Sequence, residues 1–512
     1  MYKILWIDDE IDLLQLYINF LKENGYYVET SYTAKDALPL LKKTNYDVII
    51  LDEQLPGIDG LTFLKEIRKV NILTPIIMLT KSEDERHINE AIAFNVSNYL
   101  IKPINPKQLL SALKKITEQE KLTTERTIKE YHIEFNQTIQ AINRAQNITD
   151  WINIYNKLVY YSIELQKINE ENSQELLDIQ FKEANNVFSK FVKNNYLNWI
   201  NDNEIIMSHN ILQKKFIPFL RENNKVLLLV IDNLRYDHLV YIIPLLSKIF
   251  NIQKNIYISI LPTATSYSRN ALFAGLMPSE IEKIYPNLWI SELEDENKNQ
   301  YEEKLFTTFL NRNGIKENFF FKKILNLQES NQLVQEINNL YNKHRFGVIV
   351  INFIDILSHS QPQVKAVKEL TYKNFSFRSL IYTWFEYSNI YKIMKFCKEN
   401  NINIFLTTDH GSIQVENPIK ILGEKNITTN LRYKYGRNIK YPKEEVFVIN
   451  EPKKAYLPQE YSAGEYIFAI SNTFFAYVNN FSYYVNVFKN TYQHGGVSLE
   501  EMFIPYCYMI CN

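Results

Sequence analysis

Short apolar runs that end at an acid recur along this chain, and most of them do not alternate between apolar and polar residues. Residues 3–7, 28–32, 47–51, 75–79 and 98–101 form one series; residues 226–231, 348–353 and 402–407 form another. A strand with one wet face alternates, whereas a strand covered on both faces reads as continuously apolar. Stretches with helical periodicity separate the runs, such as Leu13, Leu14, Tyr17 and Leu21, or Ala37, Leu40 and Leu41. Strands alternating with helices predict parallel sheets wound on both faces. Such sheets place ligands at the carboxyl ends of their strands. Those ends carry Asp8-Asp9, Asp52, Asp232, Asp355 and Asp409-His410.

Between the two series the pattern changes. Proline and glycine vanish after Pro106, and Trp151, Ile154, Leu158, Tyr161 and Leu165 follow helical spacing without a sustained heptad, so helices packed as a bundle are expected. At about 150 residues per domain the chain should hold roughly three, expected at 1–120, 121–210 and 211–512. The fold class is therefore α/β: a five-stranded parallel domain, a helical bundle and a second α/β domain.

Composition excludes several functions. Only 12 of 512 residues are glycine, and neither G-x-G-x-x-G nor G-x-x-x-x-G-K-[ST] occurs. A glycine in such a chain marks a place where the backbone has little choice. The net charge of −1 argues against a duplex-DNA binder, which needs a basic face. The 3 cysteines form no disulfide framework. The N-terminus meets acid at Asp8 and resembles no signal peptide. No apolar run approaches the ~20 residues of a membrane span. A cytoplasmic protein is expected.

In the first series the strand ends supply Asp8, Asp9, Asp52, Thr80 and Lys102. Clustered carboxylates repel one another unless a hard cation sits between them, and oxygen ligands suit Mg²⁺. A carboxylate beside Mg²⁺ can accept a phosphoryl group as an acyl phosphate, and lysine can pair with the added charge. Any one such aspartate could be only a helix N-cap; the set is more specific. With the stretch from Asp52 through Gly57 to Gly60, it resembles the receiver domain of two-component response regulators. The resemblance implies that Asp52 is the phosphoacceptor. It implies that Asp8, Asp9, Asp52 and the Gln54 carbonyl hold Mg²⁺, that Thr80 and Tyr99 are the switch pair, and that Lys102 is the counter-ion. It also implies a cis bond before Pro103 and a partner sensor histidine kinase.

The second series brings Asp232, Asp355 with His359, Asp409-His410, and the later His494. Mixed Asp/His ligation suits Zn²⁺, or Mn²⁺ if more oxygens join. Six ligands exceed one tetrahedral site and fit two metals, which at ~4 Å can clamp both oxygens of a phosphoryl displacement. Thr265 is the expected nucleophile, its hydroxyl activated by a metal at the start of a helix. The spacing of Thr265, Arg269 and Gly275, the Asp355-x-x-x-His359 pair and Thr-x-Asp409-His410-Gly411 resemble the alkaline phosphatase superfamily. Within it, the segments around Asp232, Thr265 and His494 look like the PglZ domain. Receiver, helical middle and PglZ domain on one chain resemble the PorX-type response regulators over the full length. The resemblance implies two zinc ions per PglZ domain. Asp232, Thr265, Asp409 and His410 would hold one; Asp355, His359 and His494 would hold the other. Arg269 or Arg235 would help hold the phosphate. His132, His209, Asp237 and His238 match no ligand motif.

The expectation is a zinc phosphodiesterase acting on cyclic or linear oligonucleotides. Phosphorylation at Asp52 would control it through a homodimer, in a system linked to type IX secretion and a sigma factor. The rival is a phospho-switched docking protein with a catalytically silent PglZ domain.

Overall fold

The structure is a computed structural model that describes residues 2–69, 74–81, 96–168, 170–291, 294, 298–423 and 428–511. It divides into two compact units, Met1–Glu130 and Tyr131–Asn512.

In the first unit, β1 (Tyr2–Ile7), β2 (Tyr26–Ser31), β3 (Val48–Asp52), β4 (Ile76–Thr80) and β5 (Asn98–Ile101) form a parallel sheet in the order β2-β1-β3-β4-β5. Successive side chains point to opposite faces, and both faces are packed. Ile4, Trp6, Ile50 and Leu79 belong to one core; Leu5, Ile7, Ile49 and Met78 belong to the other. This double burial is why the strands do not alternate. Helices α1 (Gln15–Glu23), α2 (Ala34–Lys43), α3 (Gly60–Lys69) and α4 (Pro106–Thr117) flank the sheet. Local chemistry sets their starts. Thr33 accepts from the Asp36 N–H at the start of α2, and Asn105 accepts from Lys107 ahead of a proline in the first turn of α4. The crossover between Thr80 and Asn98 lies largely outside the described residues.

Three long helices follow: α5 (Gln119–Arg144), α6 (Ile148–Lys167) and α7 (Glu171–Trp199). A reciprocal cap between Asn147 and Asp150 opens α6. From Tyr131 onward these helices share a core with the C-terminal part. Tyr155 packs 5.7 Å from the Tyr236 ring, and Phe188 packs 5.1 Å from Phe503.

The C-terminal part is built on a six-stranded sheet of β6 (Val226–Ile231), β7 (Asn251–Ile258), β8 (Phe319–Ile324), β9 (Phe346–Ile351), β10 (Asn403–Thr407) and β11 (Phe503–Ile510), in the order β8-β9-β6-β10-β11-β7. Strands β8, β9, β6 and β10 run parallel; β11 is antiparallel to both of its neighbours. Asp232, Asn352 and Asp409 thus leave neighbouring strands at one edge. The run expected as a strand to residue 353 ends at Ile351. Asn352 turns its amide onto Asp232 at 2.9 Å, and a helix over Phe353–Ser360 begins. That turn puts Asp355 and His359 one helical turn apart on one face.

A small three-stranded sheet beside this core contains the fully buried Lys434. Its Nζ donates to the Thr428 carbonyl at 2.8 Å and lies 4.7 Å from the centre of the Tyr477 ring. Burial pulls its pKa down to about 7, against about 10.4 in an unfolded chain. Between those values the unfolded chain binds more protons, so stability rises with pH across the window. A Lys434→Met variant should lose that slope. Urea titrations at pH 7.5 and 9 should show the parent gaining about 1–2 kcal/mol relative to the variant; parallel pH dependence would refute the assignment.

Candidate functional site

At the carboxyl edge of the six-stranded sheet, ligand atoms of Asp232, Asp409 and His410 lie within 4.8 Å of one another, as do those of Asp355, His359 and His494. In the first set, His410 Nε2 is 3.6 Å from carboxylate oxygens of both aspartates. Thr265, the first residue of α8 (Thr265–Ala274), brings its Oγ1 to 2.9 Å from the same His410 Nε2. In the second set, Asp355 reaches His359 Nε2 with one oxygen and His494 Nε2 with the other, each at 3.4 Å. The two histidine Nε2 atoms are 3.1 Å apart. His410 and His494 stack at 4.1 Å, so the two sets adjoin.

These residues fit divalent metal ions. Asp232 Oδ1 and Asp409 Oδ2 are buried without a hydrogen-bond partner among the described residues, which a cation would remedy. His410 Nδ1 faces the Gly411 carbonyl at 3.1 Å, and His494 Nδ1 faces the Thr263 carbonyl at 3.2 Å. A proton held on each Nδ1 leaves the Nε2 lone pair for a ligand. Electrostatics agree. Burial, then the Asp232 charge, pushes Asp409 well up and raises Asp355 to about 6. Burial, then the neighbouring rings of His410 and His359, holds His494 far below its ordinary value, in the neutral ligating form. Burial would raise Asp232 too, but Arg269 and His410 outweigh it and hold the carboxyl low. Three crowded acids of which two resist ionisation make a site short of positive charge.

Backbone geometry confines the loops. Asn233 adopts a left-handed φ of 61°, which lets Asp232 leave its strand while the Asn233 amide reaches Ser358 Oγ at 3.2 Å. A Cβ at Gly411 would meet the Glu500 carbonyl oxygen at 2.0 Å, so only glycine lets the Asp409-His410 loop lie against the segment that follows His494.

The two arginines are placed differently from a phosphate clamp. Arg269 is 1% exposed; its Nε donates to Glu302 at 2.6 Å and its Nη1 to Asp232 at 2.5 Å. Arg235 gives its Nε and Nη2 to Asp237 and its Nη1 to Asn374. Both guanidinium groups bind protein carboxylates. His238 is buried edge-on against Phe377, and burial lowers it to about 3, so it stays neutral.

The motif reading missed the residues that hold these ligands. Asn352 donates to Asp232, Glu302 binds Arg269, and Arg432 pairs with Glu501 with both side chains 0% exposed. Glu501 in turn accepts from the Gly496 N–H at 2.9 Å and Ser498 Oγ at 2.6 Å, just after His494. Glu501 is close to His494 in sequence, and an acid in an otherwise apolar segment was its signal. Arg432 and Glu302 are distant in the chain and carried none.

In the first unit, ligand atoms of Asp8, Asp9 and Asp52 also lie within 4.8 Å of one another. Lys102 Nζ sits 2.9 Å from Asp8 and 2.8 Å from Asp52. Burial raises the Asp52 pKa; Lys102 opposes this, and Asp8 and Asp9 add to it. Thr80 donates its hydroxyl to Glu53, beside Asp52. Tyr99 is half-buried on β5, Gln54 lies exposed two residues after Asp52, and the Lys102–Pro103 bond is cis. A Cβ at Gly60 would meet the Asp52 carbonyl oxygen, so this loop can close against Asp52 only with glycine there. No described helix is long and apolar enough to cross a membrane.

Comparison with known proteins assigns each part. Residues 4–114 match the response regulator receiver domain, residues 121–200 the PorX response regulator linker domain, and residues 211–509 the BREX system PglZ alkaline phosphatase-like domain. Regulatory protein VanR of Enterococcus faecium is 38% identical over 112 residues, 22% of this chain and 48% of that protein. The alkaline phosphatase synthesis transcriptional regulatory protein PhoP of Bacillus subtilis is 32% identical over 114 residues, again 22% of this chain and 48% of that protein. The chain spans about half the length of the curated relatives it matches. Among solved structures, the chemotaxis protein CheY4 of Vibrio cholerae is 36% identical, covering 23% of this chain and 98% of that one, with a TM-score of 0.22. The Francisella response regulator 1452 receiver domain is 31% identical with the same coverages and a TM-score of 0.23. Receiver and alkaline phosphatase-like domains typically use divalent metals, and a receiver implies phosphorylation by a sensor kinase. With a receiver, the PorX linker and a PglZ domain that occupies more than half its length, the chain belongs to the PorX-type response regulators.

Proposed function

We propose that the chain is a cytoplasmic, phosphorylation-controlled phosphodiesterase. Its PglZ domain would cleave oligonucleotide or related diesters with Thr265 as nucleophile. The observation that carries this is the position of Thr265 Oγ1, 2.9 Å from His410 Nε2, at a helix start beside two adjoining sets of ligand groups. Asp232, Asp409, His410 and Thr265 would hold one zinc ion, and Asp355, His359 and His494 the other. Bound there, the ions supply positive charge that lowers the hydroxyl pKa and neutralises phosphate oxygens. The protein's own contribution is orientation. The Gly411 and Thr263 carbonyls fix the two imidazoles, the start of α8 directs backbone N–H groups toward the phosphate, and Arg269 steadies Asp232 rather than the substrate.

In the receiver, Asp52 would take the phosphoryl group from a sensor kinase, with Asp8, Asp9 and the Gln54 carbonyl holding Mg²⁺ and Lys102 pairing the new charge. Thr80 and Tyr99 would relay the change to a dimer face. The functional division we propose is 1–120, 121–210 and 211–512, and the output we propose is control of type IX secretion with a sigma-factor partner. Full-length protein loaded with zinc should hydrolyse bis(p-nitrophenyl) phosphate and short oligonucleotides, and treatment with a small acyl-phosphate donor should change the rate. An Asp52→Asn variant should neither gain a phosphoryl group by intact mass nor respond to the donor. Zinc-loaded protein that cleaves no diester would overturn the hydrolase reading in favour of the docking one.

A further inference from the structure

We infer that helix α7, from the helical middle of the chain, is a working part of the candidate active site, with Asn185 and Tyr196 as positioning residues for its two loops. The role of those loops rests on the hydrolase reading above; the geometry of α7 does not. Asn185, Ser189, Val192 and Tyr196 recur every three or four residues and form one stripe of the helix. All four are buried, Val192 and Tyr196 completely.

At one end of the stripe, the Tyr196 hydroxyl oxygen accepts a hydrogen bond from the Leu261 N–H at 2.8 Å. Leu261 opens the short segment that delivers Thr265 to the start of α8. Thr263, in the same segment, accepts from the Gly495 N–H at 3.0 Å and donates to the Gly496 carbonyl at 2.9 Å. At the other end, Asn185 Oδ1 accepts from the Leu499 N–H at 2.7 Å, and its Nδ2 donates to Glu500 at 2.9 Å. Leu499 begins the helical turn Leu499–Met502, three residues beyond Gly496. One stripe therefore reaches the loop of the nucleophile and the loop of His494.

Eleven residues of α-helix fix these two contacts ~16 Å apart along the axis. The Leu261 and Leu499 amides find their acceptors on α7, so a shift or rotation of the helix disturbs both loops together. A change arriving through the helical middle thereby gains purchase on catalysis without touching a ligand.

The test compares Tyr196→Phe and Asn185→Leu in the full chain with Tyr131→Phe. The control breaks the bond between Tyr131 and Gln180, a buried contact of α7 that faces neither loop. Tyr196→Phe should lower kcat for the aryl diester by about 10- to 100-fold with KM little changed, and should speed amide exchange at Leu261. Asn185→Leu should weaken zinc binding, measured by chelator competition, by about 10- to 100-fold, and should speed exchange from 497 to 501. Should Asn185→Leu not fold, Asn185→Ser is measured in its place. If both variants match Tyr131→Phe in kcat, zinc affinity and exchange, α7 is only scaffold and the inference fails. Failure of the wild-type protein to cleave diesters would strike the hydrolase reading alone, because the zinc and exchange measurements still decide the role of α7.

Discussion

Thr265→Ala should leave the protein folded and able to bind zinc at saturation, yet cut diester hydrolysis by about a thousand-fold or more. The magnitude is that of removing a nucleophile from a site whose other catalytic groups stay in place. The structure makes the substitution clean. Thr265 is half-buried, so no deeply enclosed cavity forms, and its backbone carbonyl keeps the bond from Asn299 Nδ2 at 3.0 Å. The hydroxyl's contact is His410 Nε2, which has Asp232 and Asp409 as further neighbours. Thermal unfolding should therefore shift little while turnover collapses. Thr265→Ser, which keeps the oxygen, should retain most of the activity. An alanine variant with a tenth or more of the parent rate would show that water attacks phosphorus directly, and Thr265 would then be at most a metal ligand.

How much of this was legible in the sequence follows from where each residue sits relative to its strand. Asp8, Asp52, Asp232 and Asp409 follow apolar runs, and a parallel sheet gathers the ends of its strands at one edge, so runs that name the strands also name the site. The Asp355–His359 pair is visible for a different reason: helical spacing puts both on one face. What could not be read is pairing between distant segments. Nothing near Arg432 in the chain announces Glu501, and Arg269 looked like a phosphate ligand because Asp232 and Glu302, its partners, lie 37 and 33 residues away. The helical middle was readable as helices from Trp151, Leu158 and Leu165. That it would share a core with Tyr236 and Phe503 depends on side chains whose neighbours no local pattern encodes. The end of β9 shows the same limit on a smaller scale: residues 348–353 read as one strand, but Asn352 is spent on Asp232, and the chain turns there.

Arg432→Met should be the most destabilising single change around the site, by about 3–5 kcal/mol in urea unfolding, because it strands a fully buried carboxylate. Arg432 gives Nε and Nη2 to Glu501, at 3.1 and 2.5 Å, and its Nη1 to the Thr473 carbonyl. With the guanidinium gone, the Glu501 carboxylate keeps, among the described residues, the Gly496 N–H and the Ser498 hydroxyl as donors and is left without a counter-ion. A second variant separates stability from site geometry. Arg432→Met combined with Glu501→Leu removes both charges, and apolar replacement of a buried pair is often nearly neutral, so the double variant should recover much of the lost stability. It should not recover zinc affinity. The Glu501 carboxylate is what the Gly496 N–H and Ser498 hydroxyl bind, and Gly496 lies two residues from His494. The pair thus fixes the His494 loop from behind, and a folded double variant with weakened zinc binding is the expected result. A single variant within about 0.5 kcal/mol of the parent, or a double variant with parental zinc affinity, would show that the pair is incidental to the site.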